Sequence, residues 1–108
     1  MAIEYPNTDL YIDGKWRPAV SRDTLDVINP ATEEVIGQVA RARRADLDEA
    51  LEAADKAFKS WKKTTPLDRY KILRKAADLL RERASLIAEV MTTEQGKPLA
   101  EAKGETLM

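Results

Sequence analysis

Gly96 and Lys97 are the residues whose types most directly suggest chemistry, because a Gly-Lys pair ends the phosphate-binding loop of many nucleotide-binding proteins. That loop needs a glycine five positions earlier and a serine or threonine directly after the lysine. Met91 stands five positions before Gly96, and Pro98 follows Lys97. We therefore interpret Gly96 as a helix terminator in the left-handed conformation, with the proline just beyond it. The chain also lacks a Gly-x-Gly-x-x-Gly dinucleotide fingerprint.

Acidic residues crowd the start of the first helical segment, where they could suggest a metal cluster or a pair of catalytic carboxylates. Acidic side chains are favoured in the first turns of a helix because they complement its dipole, and an EF-hand loop would need a central glycine. We therefore interpret the group as a solvated helix face. Its members are Asp46, Asp48, Glu49 and Glu52.

Three arginines, Arg41, Arg43 and Arg44, form the one basic cluster in the sequence. They lie in a strand-to-helix connection without interleaved aromatic residues, so they are weak evidence for nucleic-acid binding. Eighteen basic and nineteen acidic residues leave a formal charge of −1. This balance predicts neither a nucleic acid nor a membrane as a partner.

Two residue types that often carry catalysis are missing, since the 108 residues include no cysteine and no histidine. The chain therefore has no thiol nucleophile, no disulfide, no Cys/His metal site and no imidazole base. Apolar residues at 44% and charged residues at 34% indicate one soluble, helix-rich domain. No apolar run resembles a signal peptide or a membrane span, and we expect a cytoplasmic protein.

Residues 10–40 predict two β-hairpins that form a small sheet. The first turns at Asp13-Gly14, a pair typical of a type I′ turn, and the second reverses at Asn29-Pro30, because proline cannot donate to a strand ladder. A sheet of this size is marginal alone, so another element should cover one face. The predicted strands are residues 10–12, 15–17, 24–28 and 35–39.

The apolar spacing becomes helical from residue 45. Asp46 followed by Glu49 resembles a capping box for the first helix, and Thr65 with Pro66 predicts the start of the next one. The apolar seam from Tyr70 to Met91 fits either one long helix or two helices with a kink near residues 83–85. A last helix begins at residue 99. We interpret the large aromatic residues as core or interface anchors: Trp16, Phe58, Trp61 and Tyr70.

Five segments occur in an order that resembles a known family: Tyr11-Ile12-Asp13-Gly14-Lys15-Trp16, Val27-Ile28-Asn29-Pro30-Ala31-Thr32, Ala57-Phe58-Lys59-Ser60-Trp61, Arg69-Tyr70-Lys71-Ile72-Leu73 and Thr93-Glu94-Gln95-Gly96-Lys97-Pro98. The series resembles the amino-terminal region of the NAD(P)-dependent aldehyde dehydrogenase superfamily over about residues 10–105. Residues 94–105 are most similar to its succinate-semialdehyde dehydrogenase branch.

This resemblance implies an α/β parent with a doubly wound nucleotide-binding sheet, of which residues 1–108 form the amino-terminal part of the cofactor-binding domain. It implies that a cysteine thiolate attacks the aldehyde, that hydride passes from the thiohemiacetal to NAD or NADP, and that a glutamate-activated water releases the acid. It further implies that an asparagine and a backbone amide stabilise the oxyanion. No catalytic or cofactor-binding residue of that set maps onto this chain. The implied partners are an aldehyde substrate, the remainder of the polypeptide and further copies in a homo-oligomer.

The resemblance also implies one minor site, because some family members hold a structural monovalent cation. The matching ligands here are the backbone carbonyl of Ile28 and the side chain of Glu94, with a third ligand beyond the chain. From the residues alone, Glu94 has a plain alternative as an exposed acid near a helix end, where its charge is unfavoured.

The last segment starts a helix at Leu99 but has no C-terminal cap, and Gly104 lies inside it. We therefore expect the chain to be incomplete at its C-terminal end and inactive by itself. The alternative is a self-contained α+β module, a helical hairpin over a small sheet, that presents the Tyr70-to-Met91 seam to a protein partner without catalysis.

Overall fold

The computed structural model describes residues 3–108, which form two short β-hairpins followed by four α-helices. This order confirms the prediction of two hairpins followed by three or more helices. The described residues divide into two compact units, one of residues 6–27 and 37–64, the other of residues 3–5, 28–36 and 65–108. The elements are β1 (Leu10–Ile12), β2 (Lys15–Arg17), β3 (Thr24–Ile28), β4 (Val35–Ala40), α1 (Arg44–Trp61), α2 (Pro66–Glu82), α3 (Ala84–Gln95) and α4 (Leu99–Leu107).

The β1–β2 hairpin has the predicted turn and register. Asp13 and Gly14 have φ angles of 52° and 76°, the positive pair that a type I′ turn requires. Tyr11 lies opposite Trp16, and their ring centroids are 5.0 Å apart. The cross-strand aromatic pair therefore stabilises this hairpin on one face.

The two hairpins form separate two-stranded sheets, so the prediction of one small sheet is wrong. The connection after β2 explains the difference. Arg22 closes a turn onto the carbonyl of Ala19, and the amide of Val20 donates to the Asp46 side chain at 2.9 Å. The two backbone amides therefore donate within a turn and to a side chain of α1, not to a neighbouring strand. Strand β1 packs against α1.

The β3–β4 hairpin reverses at Asn29-Pro30, as predicted. The amide of Asn29 donates to the carbonyl of Glu34 at 2.9 Å, and the amide of Glu33 donates to the carbonyl of Asn29 at 2.8 Å. The Asn29 side chain also accepts from the amide of Ala31 at 2.9 Å. Asparagine thus closes the turn with both its backbone and its side chain.

Asp46 is the buried charge of its unit, with 1% of its surface exposed. The amides of Arg43 and Val20 donate to its two oxygens at 2.8 and 2.9 Å, and Arg17 lies 3.5 Å away. Helix α1 begins at Arg44, and the Asp46 carboxylate accepts the amide of Arg43, the residue that precedes the helix. The predicted Asp46–Glu49 capping box and the solvated position of Asp46 are therefore wrong, although Glu49 is exposed as expected.

The seam from Tyr70 to Met91 is divided between two helices, α2 and α3, which meet at Arg83 with φ −97° and ψ 8°. Thr65 caps α2 as predicted, since its hydroxyl accepts from the amide of Asp68 at 3.2 Å. After the break, α3 packs against α4 and buries Ala84 and Ala88. Alanine side chains allow the two helices to approach closely.

Large apolar side chains are mostly exposed, and the buried apolar residues of the described chain are all alanines: Ala19, Ala84, Ala88 and Ala102. The aromatic residues that were predicted to be core or interface anchors lie outside any core here, since even Trp61 is 39% exposed. Within residues 3–108, no helix is long and apolar enough to cross a membrane.

Asp46 also gives the fold a pH dependence. The Arg43 amide, the Val20 amide and the Arg17 charge together hold the pKa of this carboxyl below its ordinary value. A carboxyl with a lowered folded pKa stabilises the native state above its unfolded pKa, which is about 4. That stabilisation is lost as the pH falls below about 4 and through the folded pKa.

We expect Asp46→Asn to loosen the start of α1 in the intact protein. The side-chain NH₂ group of asparagine would face one of the two backbone N–H groups, and two donors cannot form a hydrogen bond. Hydrogen exchange at the amides of Val20 and Arg43 should accelerate roughly tenfold or more. The acid-induced loss of protection below pH 4 should also become shallower. Asp48→Asn, at an exposed position of the same helix, is the matched control, and equal exchange in the two variants would contradict the role of Asp46.

Candidate functional site

The two turns singled out from the sequence, Asn29-Pro30 and Gly96-Lys97-Pro98, lie together in one unit. Gly96 ends α3 in the left-handed conformation with φ 84°, as predicted. A Cβ atom at Gly96 would lie 2.9 Å from Cγ of Pro30, which is closer than such atoms can pack. Glycine is therefore required here both by its backbone conformation and by the contact between the turns.

A hollow of about 380 Å³ opens beside this contact. Asn29 and Ala31 line it from the β3–β4 turn, and Glu89, Thr92 and Leu99 line it from the helices. Thr92 is the unusual residue, because its hydroxyl is buried without a hydrogen-bond partner among residues 3–108. Such a group costs free energy unless something outside the described chain pairs with it.

Lys97 does not present a free cation to a phosphate group. Its ammonium pairs with Glu105 of α4, and its side chain is only 16% exposed. The lysine thus ties the turn after α3 to the last turn of the next helix. This contact supports the interpretation of Gly96-Lys97-Pro98 as a structural turn rather than a phosphate-binding loop.

Ile28 and Glu94, the two candidate cation ligands, belong to the same unit. Ile28 is the last residue of β3, and Glu94 lies one residue before the end of α3. The contact between Gly96 and Pro30 brings the segments that follow these residues together. A backbone carbonyl and a carboxylate are oxygen ligands, the kind that hard cations prefer.

Glu94 has a partner that sequence reasoning missed. The hydroxyl of Tyr5 donates to Oε2 of Glu94 at 2.6 Å, across 89 positions of sequence. No residue pattern near Tyr5 signals this contact, because it depends entirely on how the chain folds back. Among residues 3–108, no group of three or more acidic, histidine or cysteine side chains could hold a metal ion.

Partial burial, the hydrogen bond to Glu94 and the negative charge of that carboxylate raise the pKa of Tyr5 to about 12. Each effect penalises the phenolate. The phenol therefore stays protonated near neutral pH and remains a hydrogen-bond donor to Glu94.

The arginine cluster is partly neutralised. Arg43 donates to Asp23 at 2.8 Å, and this hydrogen bond is the main reason that the pKa of Asp23 is lowered. Arg41 and Arg44 are exposed. The structure therefore adds nothing to the weak sequence evidence for nucleic-acid binding.

Comparison with known proteins identifies the class to which this chain belongs. The model of the aldehyde dehydrogenase family matches residues 16–108, so the chain is a member of that family. The resemblance inferred from the order of the five segments is thereby confirmed.

The chain is 50% identical over 95 residues to a glutarate-semialdehyde dehydrogenase of Pseudomonas putida, a match that covers 88% of this chain and 20% of that protein. It is 40% identical over 100 residues to the mitochondrial methylmalonate-semialdehyde/malonate-semialdehyde dehydrogenase of Mus musculus, covering 93% of this chain and 19% of that protein. The chain thus spans about a fifth of the length of the curated relatives it matches.

Solved structures confirm the fold of the segment. An aldehyde dehydrogenase of Brucella melitensis biovar abortus matches with a TM-score of 0.93 and 42% identity, over 99% of this chain and 23% of that one. A succinate-semialdehyde dehydrogenase of Burkholderia pseudomallei matches with a TM-score of 0.89 and 43% identity, over 93% and 21%. A betaine aldehyde dehydrogenase of Staphylococcus aureus in complex with NAD⁺ matches with a TM-score of 0.89 and 34% identity, over 93% and 20%.

We expect Gly96→Ala and Gly104→Ala to change stability in opposite directions. Alanine at position 96 would be forced into the left-handed conformation and against Pro30, so unfolding free energy should fall by about 1–2 kcal/mol or more. Gly104 lies inside α4 with no atom within 4 Å of an added Cβ. Alanine there should raise the unfolding free energy by about 0.5–1 kcal/mol. Denaturant unfolding of the intact protein measures both, and a neutral Gly96→Ala would refute the turn contact.

Proposed function

We propose that this chain is the amino-terminal part of the cofactor-binding domain of an NAD(P)-dependent aldehyde dehydrogenase that oxidises a semialdehyde, with succinate semialdehyde the foremost substrate. The observation that carries the proposal is the family match over residues 16–108. The semialdehyde dehydrogenases of Pseudomonas and Burkholderia, at 50% and 43% identity, support a substrate with a distal carboxylate.

The chemical steps of the reaction need groups that this chain does not contain. A thiolate must attack the aldehyde carbon, and a bound nicotinamide must take the hydride from the resulting thiohemiacetal. The 108 residues contain no cysteine and no glycine-rich dinucleotide fingerprint. We therefore place the nucleophile and the nucleotide site in the remainder of the polypeptide, and the family resemblance supports placing the water-activating glutamate and the oxyanion donors there too.

The uncovered apolar faces of the helices support this division. On α2, Leu67 and Leu73 are 61% and 65% exposed, and on α1 Leu51 is 59% exposed. Burying one such side chain contributes roughly 1.5–3 kcal/mol. Folded monomers rarely expose apolar surface of this extent. We propose that the remainder of the same polypeptide covers these faces.

The cofactor is NAD or NADP, and the NAD⁺ complex of the Staphylococcus relative supports the nicotinamide class. We further propose a homo-oligomeric enzyme, because the exposed apolar surface offers contacts to more than one neighbour. A cytoplasmic location agrees with the absence of cysteine from the chain.

A structural monovalent cation is also part of the proposal. The carbonyl of Ile28 and the carboxylate of Glu94 would bind it, and the remaining oxygen ligands would come from the rest of the enzyme. The donor set fits, because both ligands are oxygens within one compact unit. Such an ion would tie the end of β3 to the end of α3.

Purified residues 1–108 should not oxidise any aldehyde with NAD or NADP, because they lack the thiolate. The full-length enzyme should reduce the cofactor and should prefer succinate semialdehyde to a neutral aldehyde of equal length by at least about tenfold in kcat/KM. Absorbance of the reduced nicotinamide measures both. Turnover by residues 1–108 would refute the division of labour, and preference for the neutral aldehyde would refute the substrate assignment. A full-length protein without any aldehyde activity would favour the interaction module.

Replacing Thr92 tests whether the rest of the enzyme supplies a hydrogen-bond partner for its buried hydroxyl. If a group from the remainder pairs with the buried Thr92 hydroxyl, Thr92→Val should lower the unfolding free energy of the full-length enzyme by about 1 kcal/mol. Thr93→Val is the matched control, because the Thr93 hydroxyl already donates to the carbonyl of Glu89 at 2.7 Å within α3. Such in-helix bonds contribute little. A neutral or stabilising Thr92→Val would show that the hydroxyl stays unpaired.

A further inference from the structure

Glu94 lies at a place where a free carboxylate is costly. The C-terminal end of α3 carries the negative end of the helix dipole, and its last turn contains no basic residue. The nearest lysine in sequence, Lys97, is paired with Glu105 instead. The end of α3 is therefore a locus of negative charge for which the described chain supplies no cation.

Although Glu94 is exposed, its side chain has one fixed partner. A glutamate has three rotatable side-chain bonds, and fixing such a side chain costs up to about 1.5–2 kcal/mol. The Tyr5 hydroxyl donates to Oε2 at 2.6 Å, the length typical of a strong bond from a hydroxyl to a charged carboxylate. The other oxygen, Oε1, accepts no hydrogen bond from residues 3–108.

A neutral donor is well suited to this position. A lysine or arginine in place of Tyr5 would cancel the charge of Glu94, whereas the phenol fixes one oxygen and leaves the negative charge in place. The tyrosine ring is half-buried, so its hydroxyl is itself fixed by the fold. An ordered carboxylate with one unused oxygen is prepared for a ligand that carries positive charge.

We propose that Tyr5 is the positioning residue of the monovalent-cation site, holding Oε2 of Glu94 so that Oε1 serves as the ligand oxygen. This inference rests on the cation site of the proposed function. In this arrangement the cation and Tyr5 share the carboxylate of Glu94, so cation binding is linked to the contact between residues 3–5 and the end of α3.

The test is cation affinity of the full-length enzyme, measured from the rise in melting temperature as K⁺ or Na⁺ replaces a bulky organic cation at constant ionic strength. Tyr5→Phe removes the hydroxyl and keeps the ring. We expect it to weaken the apparent cation affinity about tenfold, the equivalent of about 1.4 kcal/mol. Tyr11→Phe, at an exposed tyrosine of β1, is the matched control and should bind like the wild type. Glu94→Gln should abolish the dependence on cation.

The outcomes separate the inference from the function on which it rests. If the wild type binds the cation and Tyr5→Phe binds it equally well, Tyr5 has no positioning role. If Tyr5→Phe lowers the melting temperature by the same amount with and without the cation, its role is only to anchor residues 3–5, and the inference fails. If the wild type shows no cation dependence at all, the cation site itself is refuted, while the dehydrogenase activity is judged by its own assay.

Discussion

The contact between Gly96 and Pro30 is the constraint on which the unit of residues 3–5, 28–36 and 65–108 depends. Because glycine has no Cβ, the end of α3 can lie directly against the turn between β3 and β4. This approach brings together the turns that follow Ile28 and Glu94, and a hollow lies beside it next to Thr92. A side chain at position 96 would separate the two turns, and with them the two oxygens proposed as cation ligands.

A different kind of interaction organises the other unit. The buried carboxylate of Asp46 accepts the amides of Arg43 and Val20 and lies near Arg17. One side chain thus satisfies donors from the start of α1 and from the connection after β2, in a region where Ala19 is the buried apolar residue. With so little apolar burial, polar contacts of this kind define the local structure.

Exposed apolar residues connect the structure to its proposed function. Helices α3 and α4 pack on each other and bury alanines, while larger side chains such as Leu73 and Phe58 remain in contact with solvent. The same chain matches about a fifth of the length of aldehyde dehydrogenases. The role proposed above, a segment that supports the cofactor-binding domain and leaves catalysis to the remainder, would account for both the uncovered faces and the missing thiolate.

The sequence alone determined the features that depend on neighbouring residues. Asp13-Gly14 predicted its hairpin turn, Thr65-Pro66 the start of α2, and Gly96 the end of α3, because each rests on local backbone conformation. The five motifs identified the family in a similar way, because each is a run of adjacent residues that can be recognised without the fold. Tertiary structure decided the burial of Asp46 and the bond between Tyr5 and Glu94. Each of these depends on contacts between distant segments, and local propensities do not encode such contacts.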